Sequence, residues 1–254
     1  MRSIVFSFFI LLNLYNYSIY GQLSGKLTYS IVKNDVRFGK RELQSIVYIN
    51  GNSSVEFPIS KTLAEMKLKA DENHDYVVIK DAKSPFIYKN FSKKTLFCNG
   101  QIGLRQSVLI TDTLENFKWS ITKEKTKFLN YNCRKATTYF RGRKYIAWYA
   151  EDIAISNGPW KFCGLPGLIV SVSDDENHFS YKLTSIDLKS KFDDRIIAIP
   201  KTYGRDKPIS FKAYTILSNK KNSDYKKLSK VVTTNKDGSY GTVAITHAEE
   251  MEKF

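Results

Sequence analysis

The chain has 254 residues, of which 42% are hydrophobic and 14% aromatic, and its 40 Lys and Arg against 25 Asp and Glu give a formal net charge of +15. This composition excludes an intrinsically disordered chain, because it supplies ample apolar material for a packed core. The charge attracts anionic surfaces. The lysines are scattered over several segments, whereas a nucleic-acid site needs a clustered basic footprint, so we expect no nucleic-acid partner.

Residues 1–21 have the layout of a secretory signal peptide. One positive charge, Arg2, precedes an apolar run from Ile4 to Leu12, and the small residue Gly21 follows. The run is shorter than the ~20 apolar residues that a bilayer-spanning helix needs. We therefore expect cleavage near Gly21 and an exported protein, in the periplasm, at the cell surface or secreted, without a transmembrane segment in the mature chain.

Residues 22–200 are dominated by β-strand patterns. Short segments such as GKLTYSIVK, QSIVYING and KYIAWYA are rich in β-branched and aromatic residues, often alternate apolar with polar positions, and are separated by turns such as Asn50-Gly51. Many short strands at close spacing indicate an antiparallel sheet that curls into a half-barrel, a barrel or a sandwich. The sequence thus predicts a mainly β domain with a strongly curved sheet and one or two short helices.

Two stretches depart from this pattern. Thr62 and Glu65 have the spacing of a capping box and predict one short helix. After Pro208 the sequence is polar and lysine-rich, so residues 201–254 are predicted to form a C-terminal appendage that is partly helical or mobile.

The stretch NGPWKFCGLPGLIV concentrates Gly, Pro and aromatic residues. Asn157-Gly158-Pro159 predicts a turn, after which Trp160 and Phe162 alternate with Lys161, so the two rings are expected to share one face while the lysine points to water. Pro166-Gly167 is a favoured central pair of a type II turn, in which the glycine takes a positive φ. A strand is predicted from Leu168, and the whole segment is interpreted as a rigid apolar wedge.

This stretch, with the segment from Trp119 to Ser173 around it, closely resembles the GLPGLI family of exported bacterial proteins. The positions that carry the resemblance, and that we interpret as structural, are Cys133, Lys135, Ala136, Trp148, Gly158, Pro159, Trp160, Phe162, Gly164, Leu165, Pro166, Gly167, Leu168 and Ile169. The family has no established activity. The resemblance implies a periplasmic or surface-associated protein, in some members linked to outer-membrane receptor components, and a fold similar to the open half-barrel of periplasmic lipoprotein carriers; it does not specify a ligand.

The three cysteines are Cys98, Cys133 and Cys163. An odd number in an exported chain permits one disulfide and one free thiol, or three free thiols, and does not select the pairing. No histidine is near Cys163 in sequence, and an apolar setting raises a thiol pKa, so we interpret Cys163 as a small buried or disulfide-bonded residue. Cys133 is interpreted as structural.

Two further groups of charged residues are candidates for metal or anion binding. The acidic segment from Asp174 to His178 places carboxylates and an imidazole close together, but turns favour Asp and Asn for backbone reasons, so a solvated hairpin tip is the favoured interpretation and no metal is assigned. Arg141 and Arg143 are two residues apart and would either clasp an anion from one strand face or protect a strand edge with charge. No cofactor-binding motif is present, and we assign no catalytic residue and no cofactor.

These observations favour a non-enzymatic, β-rich binding module that carries or docks a lipid, a peptide or an outer-membrane partner, with the segment from Gly158 to Ile169 at one rim of a groove. One alternative is a periplasmic hydrolase or metal-dependent enzyme that uses Cys163 or the turn from Asp174 to His178. Another is a structural partner of an outer-membrane receptor complex.

Overall fold

The computed structural model describes residues 24–35, 39–59, 83–103, 106–114, 117–228, 232–234 and 240–242. The predicted signal peptide and the predicted helix around Thr62 and Glu65 lie outside these residues. In chain order the described elements are β1 (Ser24–Asp35), β2 (Gly39–Asn50), β3 (Ser53–Ile59), β4 (Ile87–Asn90), β5 (Thr95–Ile102), β6 (Gln106–Thr113), β7 (Ser120–Phe128), β8 (Tyr131–Phe140), β9 (Arg143–Ala150), β10 (Leu168–Asp174), β11 (Phe179–Asp187), two short 3-10 turns (Asp194–Ile196 and Lys201–Tyr203), β12 (Ile209–Ser210), α1 (Phe211–Leu228), β13 (Val232–Thr234) and β14 (Tyr240–Thr242).

Twelve of these strands form one curved sheet in the order β12-β6-β5-β4-β3-β2-β1-β11-β10-β9-β8-β7. Neighbouring strands are antiparallel, except that β12 runs parallel to β6. The end strands β12 and β7 do not pair with each other, so the sheet stays open. The prediction of a mainly β fold with a strongly curved sheet is confirmed, and its form is that of a half-barrel.

Strand register defines the concave side of the sheet, which we call the inner face. Leu27 and Ile31 of β1 are buried at alternate positions, as expected for a strand with one face in a core. Val47 lies opposite Leu27, Glu56 lies opposite Val47, and Ile87 lies opposite Glu56. Directly paired residues point to the same side of a sheet, so the inner face continues from β1 through β4.

The other face of β3 to β6 is also covered. Because successive residues of a strand point to opposite sides, Val55 points away from the inner face that its neighbour Glu56 occupies. There Val55 forms a buried cluster with Leu109 and Tyr203. Tyr203 belongs to the second 3-10 turn. The segment that follows β11 thus packs across the back of the sheet.

Residues after 201 contribute directly to the domain. The short strand β12 pairs with β6 through Ile209 and Ser210, and α1 follows it at once. The described part of the region after residue 201 thus combines a strand of the sheet with a helix. Among the described residues, no helix is long and apolar enough to cross a bilayer.

Strand β7 forms the other edge of the sheet and is largely exposed. Its sequence SITKEKTKF carries Lys123, Lys125 and Lys127. Lysines on an edge strand discourage pairing with another chain, because their charges would have to be buried against it. Part of the positive charge of the chain therefore protects this edge.

Candidate functional site

The loop between β9 and β10 turns onto the inner face, and we call residues 157–167 of this loop the plug. Phe162 is fully buried, and Leu165 is 1% exposed. The loop is held by backbone pairing between Asn157 and Cys163 and by a hydrogen bond from Ile169 N to Asn157 O at 3.0 Å. The Gly- and Pro-rich stretch is thus an internal element that fills the concavity of the sheet.

A buried lysine of β4 anchors the plug. Lys89 is 1% exposed, and its Nζ donates hydrogen bonds to Asn157 Oδ1 at 2.9 Å, Gly158 O at 2.7 Å and Phe162 O at 3.1 Å. Burial lowers the pKa of Lys89 to about 8. Three plug oxygens therefore depend on a single ammonium group.

A buried carboxylate of β3 holds the next part of the plug. Glu56 Oε2 accepts a hydrogen bond from Trp160 N at 2.6 Å. Burial raises the pKa of Glu56, while the charge of Lys89 and the Trp160 N–H oppose this rise. On the neighbouring inner-face position of the same strand, Ser54 Oγ accepts a hydrogen bond from Asn157 Nδ2 at 3.0 Å.

Two aromatic side chains satisfy further backbone oxygens of this region. Trp119 Nε1 donates to Cys163 O at 2.8 Å, and Tyr29 OH donates to Ile169 O at 2.8 Å. Burial raises the pKa of Tyr29 well above its ordinary value, so the hydroxyl retains its proton as a donor. Buried carbonyl oxygens without such donors would destabilise the fold.

The apolar side of the plug is an aromatic cluster around Phe162. Its ring centroid lies 4.9 Å from that of Trp160, 5.0 Å from that of Tyr145 and 5.2 Å from that of Phe117. Trp160 and Phe162 are in edge-to-face contact. They contact each other across a turn, with Trp160 at a φ of +50°, and not along the predicted extended segment. Trp160 is only half-buried and forms part of a cavity wall.

The predicted type II turn at Pro166-Gly167 is wrong. Gly167 has no positive φ, whereas Gly164 has a φ of +91° and Trp160 a φ of +50°. The turn lies earlier, where Phe162 N donates to Pro159 O at 3.1 Å. Gly167 is required for a different reason, because a Cβ there would lie 2.0 Å from Ala150 O of the neighbouring strand β9.

Lys161 does not point to water as predicted. It is 5% exposed, its Nζ lies 3.1 Å from Asp112 Oδ2, and it lies 3.8 Å from the centroid of the Phe211 ring. Asp112 also receives a hydrogen bond from Arg141 Nη2 at 2.9 Å. Although burial opposes it, this bond and the charges of Lys161 and Arg141 lower the pKa of Asp112.

A cavity of about 510 Å³ lies between the plug, the inner face and α1. This volume is within the range of about 300–1,000 Å³ typical of ligand pockets. Its wall is mostly apolar, and Lys33, Glu56 and Lys161 are its charged members. The lining residues are Ile31, Lys33, Leu43, Ser45, Glu56, Pro58, Pro85, Phe86, Ile87, Cys98, Asn99, Ile110, Trp160, Lys161, Phe179, Tyr181, Phe211 and Tyr214.

The two arginines proposed as an anion clasp are separated by a hairpin turn. Arg141 and Gly142 connect β8 to β9 with φ angles of +44° and +78°, which is the backbone of a type I′ turn. Arg141 pairs with Asp112, whereas Arg143 is buried and pairs with Asp174 at 3.1 Å. The two arginines therefore do not share one strand face, and each pairs with a carboxylate within the fold.

The acidic turn after β10 is built around Arg143. Its Nη1 lies 3.2 Å from Glu176 Oε2 and 3.2 Å from His178 Nδ1. Together with Asp174, these two side chains form a group of three that could hold a metal ion. Phe179 N also donates to Asp174 Oδ1 at 2.7 Å. Because the guanidinium already pairs with both carboxylates, the cluster is explained as an ion-pair network at a hairpin end, with Arg143 and Asp174 buried and Glu176 exposed.

All three cysteines are buried, and none forms a disulfide. Cys163 Sγ donates to Leu114 O at 3.4 Å, and burial raises the pKa of its thiol. Burial likewise raises the pKa of Cys133. Both thiols thus lack the lowered pKa of a nucleophilic cysteine, in agreement with their interpretation as structural residues.

The remaining motif positions lie in strands β8 and β9. Ala136 is fully buried, Trp148 packs half-buried against the main core, and Lys135 pairs with Glu124 at the surface. These three residues belong to the strands that support the plug, and they do not line the cavity.

Sequence reasoning missed the charged residues that hold the plug. The sequence alone assigns no role to Lys89, Glu56 or Asp112, yet all three lie on the inner face. A signal was present in SSVEFPI, where strand alternation places Glu56 on the same face as Ser54.

Comparisons with known proteins identify a matching family and similar folds. The family described as "Protein of unknown function (Porph_ging)" matches residues 140–171, which cover β9, the plug and the start of β10. No curated protein matches the chain.

Among solved structures, PNGF-II in its C2 and P21 crystal forms aligns with a TM-score of 0.51 and 17% sequence identity. The alignment covers 78% of this chain and 33% or 34% of PNGF-II, so this chain spans about a third of that protein's length. At this identity the similarity concerns the fold alone. A LolA superfamily protein from Nitrosomonas europaea aligns over 71% of this chain and 92% of its own length, with 8% identity and a TM-score of 0.31.

Proposed function

We propose that the protein is a non-catalytic binding module that holds an apolar ligand in the cavity between the plug, the inner face and α1. The observation that carries this proposal is the cavity itself, which has a mostly apolar wall and a volume of about 510 Å³. Ligand sites are typically concave and apolar with a few polar groups that fix orientation. The ligand is a lipid or an apolar segment of a peptide or protein.

The candidate catalytic groups support this choice. The Cys163 thiol is buried and donates to Leu114 O, while His178 Nδ1 lies 3.1 Å from Asp174 Oδ2 within the arginine network. A nucleophilic cysteine needs a base within hydrogen-bond reach. The structural roles of these groups favour binding over hydrolysis.

The proposal includes export from the cytoplasm and membership of the GLPGLI family. It is supported by the charge and apolar pattern of residues 1–21 and by the hexapeptide from Gly164 to Ile169. N-terminal sequencing of protein recovered from the periplasm or the medium is expected to start near Gln22. Recovery of a chain that still begins at Met1, from the cytoplasm alone, would contradict it.

Native mass spectrometry of protein isolated from its own host tests the binding function. We expect an adduct that extracts into organic solvent and whose mass identifies the ligand. A bare monomer mass would contradict a stably held ligand and would favour the structural partner of an outer-membrane complex.

A matched pair of variants localises the adduct. Leu43 lines the cavity and is 43% exposed, whereas Ile121 is 46% exposed on the edge strand β7 and lies outside it. Leu43→Trp narrows the mouth and is expected to lose the adduct, and Ile121→Trp is expected to keep it. Equal occupancy in both variants would place the ligand elsewhere.

A further inference from the structure

The cavity has an asymmetric distribution of charge along the strand direction. Leu27 of β1 and Glu56 of β3 both pair with Val47 of β2, so they lie at the same height along the strands. Lys33 lies further along β1, towards its C-terminal end. Six residues separate Lys33 from Leu27, which corresponds to roughly 20 Å along a strand. The lysine and the buried carboxylate therefore occupy opposite ends of the cavity.

The two lysines of the cavity differ in their electrostatic environment. Lys161 is neutralised by Asp112 at 3.1 Å. For Lys33, the contact found is with the Phe179 ring at 5.8 Å, and no carboxylate among the residues that the structure describes lies within ion-pair distance of its Nζ. Lys33 is thus the cavity lysine whose charge is available to a ligand.

A second positive charge lies beside Lys33. Arg41 of β2 is directly opposite Lys33 in the antiparallel ladder, so the two side chains project from the same face. Like charges in such a pair destabilise each other. Burial, followed by the charge of Arg41, lowers the pKa of Lys33. This end of the cavity is therefore positively charged.

The wall next to Lys33 is apolar. Ile31 follows on the inner face of β1, Leu43 lies opposite Ile31 on β2, and Tyr181 lies opposite it on β11. A ligand that reaches from Lys33 into the cavity therefore has a charged end at the mouth and an apolar body inside. At the inner end, Glu56 would repel a second anionic group.

From this arrangement we propose that the cavity binds a single-chain anionic amphiphile, with its head group against Lys33 and its apolar chain along Ile31, Leu43 and Tyr181 towards the plug. This inference rests on the proposed function and specifies its ligand class. The orientation follows from charge complementarity, because a charge-assisted hydrogen bond is stronger than a neutral one and forms only at the mouth.

Paired ligands of equal chain length test the head group. Dodecanoate and dodecanol are titrated separately into delipidated protein at neutral pH, below the concentration at which dodecanoate forms micelles, with binding followed by calorimetry. We expect dodecanoate to bind about tenfold or more tightly than dodecanol, because only dodecanoate gains the ionic contact. Added salt should reduce this preference.

Variants at Lys33 test whether the anionic head group binds beside this lysine. Lys33→Met is expected to abolish the preference for dodecanoate, Lys33→Arg to keep it, and Lys144→Met, which removes the same charge from an exposed position on β9, to leave it unchanged. Thermal melting of each variant, and retained dodecanol binding, show that the fold is intact.

The outcomes separate the two proposals. Equal affinity for dodecanoate and dodecanol in the unmodified protein, or a preference that survives in Lys33→Met, would overturn the anionic head-group inference while the apolar-binding function stands. Binding of neither ligand would overturn both.

Discussion

The inner face holds the plug in two different ways on its two halves. On β3, β4 and β6 it presents the charged residues Glu56, Lys89 and Asp112, which bind backbone atoms and Lys161 of the plug. On β8 to β11 it presents an apolar and aromatic surface, in which Tyr145 contacts Phe162. Hydrogen bonds and ion pairs are directional and define the position of the plug, while aromatic burial supplies most of the stabilisation.

This contrast has a consequence for the cavity. Trp160 and Lys161, which form part of its wall, are held by the charged half through Glu56 and Asp112. Changes on the apolar half should therefore lower the stability of the whole fold, and changes on the charged half should also alter the shape of the cavity.

The largest expected effect comes from the close approach of the plug to β9. Gly167→Ala would place a Cβ 2.0 Å from Ala150 O, a backbone atom that cannot move without breaking the β9–β10 pairing. We expect a loss of more than about 4 kcal/mol in the free energy of unfolding, or failure to fold. Chemical denaturation and soluble yield measure this.

Gly164→Ala is the control for backbone conformation. Gly164 has a φ of +91°, but a Cβ there would meet only Trp119 atoms at 3.8 Å, an ordinary van der Waals distance. We expect a smaller loss of about 1–3 kcal/mol, from strain alone. A larger loss at Gly164 than at Gly167 would contradict the steric explanation.

The apolar half is tested by Phe162→Ala. Phe162 is fully buried and lies in the centre of the aromatic cluster, so its truncation leaves a cavity and should cost about 3–5 kcal/mol. Urea unfolding followed by circular dichroism gives the value. A loss below about 1 kcal/mol would show that the cluster is not part of the cooperative core.

The charged half is tested by Lys89→Met. Removal of the ammonium leaves the oxygens of Asn157, Gly158 and Phe162 without this donor, and we expect a loss of about 2–4 kcal/mol together with a shifted Trp fluorescence spectrum, because Trp160 lies between two of these positions. Lys144→Met, on the exposed surface, should change stability by about 0.5 kcal/mol or less. Unchanged fluorescence in Lys89→Met would show that Lys89 does not position the plug.

The smallest effect is a dependence of stability on pH. The pKa of Lys89 is about 8 in the folded protein against an ordinary value of 10.5, so between these values the unfolded chain binds more protons and the free energy of unfolding rises with pH, by roughly 1–2 kcal/mol from pH 8 to 9.5. The buried thiols Cys133 and Cys163 from about pH 9, and the buried Tyr29 and Tyr181 above pH 10, have pKa values raised by burial and oppose this rise. Urea unfolding of the unmodified protein and of Lys89→Met from about pH 8 to 9.5 therefore measures the Lys89 contribution as the difference between the two proteins. An equal rise in both proteins would assign it to other groups.

Much of the architecture follows from the sequence alone. Alternation in segments such as KYIAWYA predicts strands with one buried face, and Arg143, Tyr145, Ala147 and Tyr149 are indeed buried at every second position of β9. The burial of Phe162 also follows from its local pattern. These features depend on side-chain period and on hydrophobicity, which are local properties.

Tertiary structure decided the residues that hold the plug and shape the cavity. Lys89 and Glu56 lie 68 and 104 residues before their partners Asn157 and Trp160, and only the curvature of the sheet brings them together. A glycine is required at position 167 because the carbonyl oxygen of Ala150 on the neighbouring strand leaves no room for a Cβ. Rules for turn sequences cannot predict this, because they consider only local residues. The pattern of one strand predicts which face a charge occupies, but its partner depends on which distant segment is folded against that face.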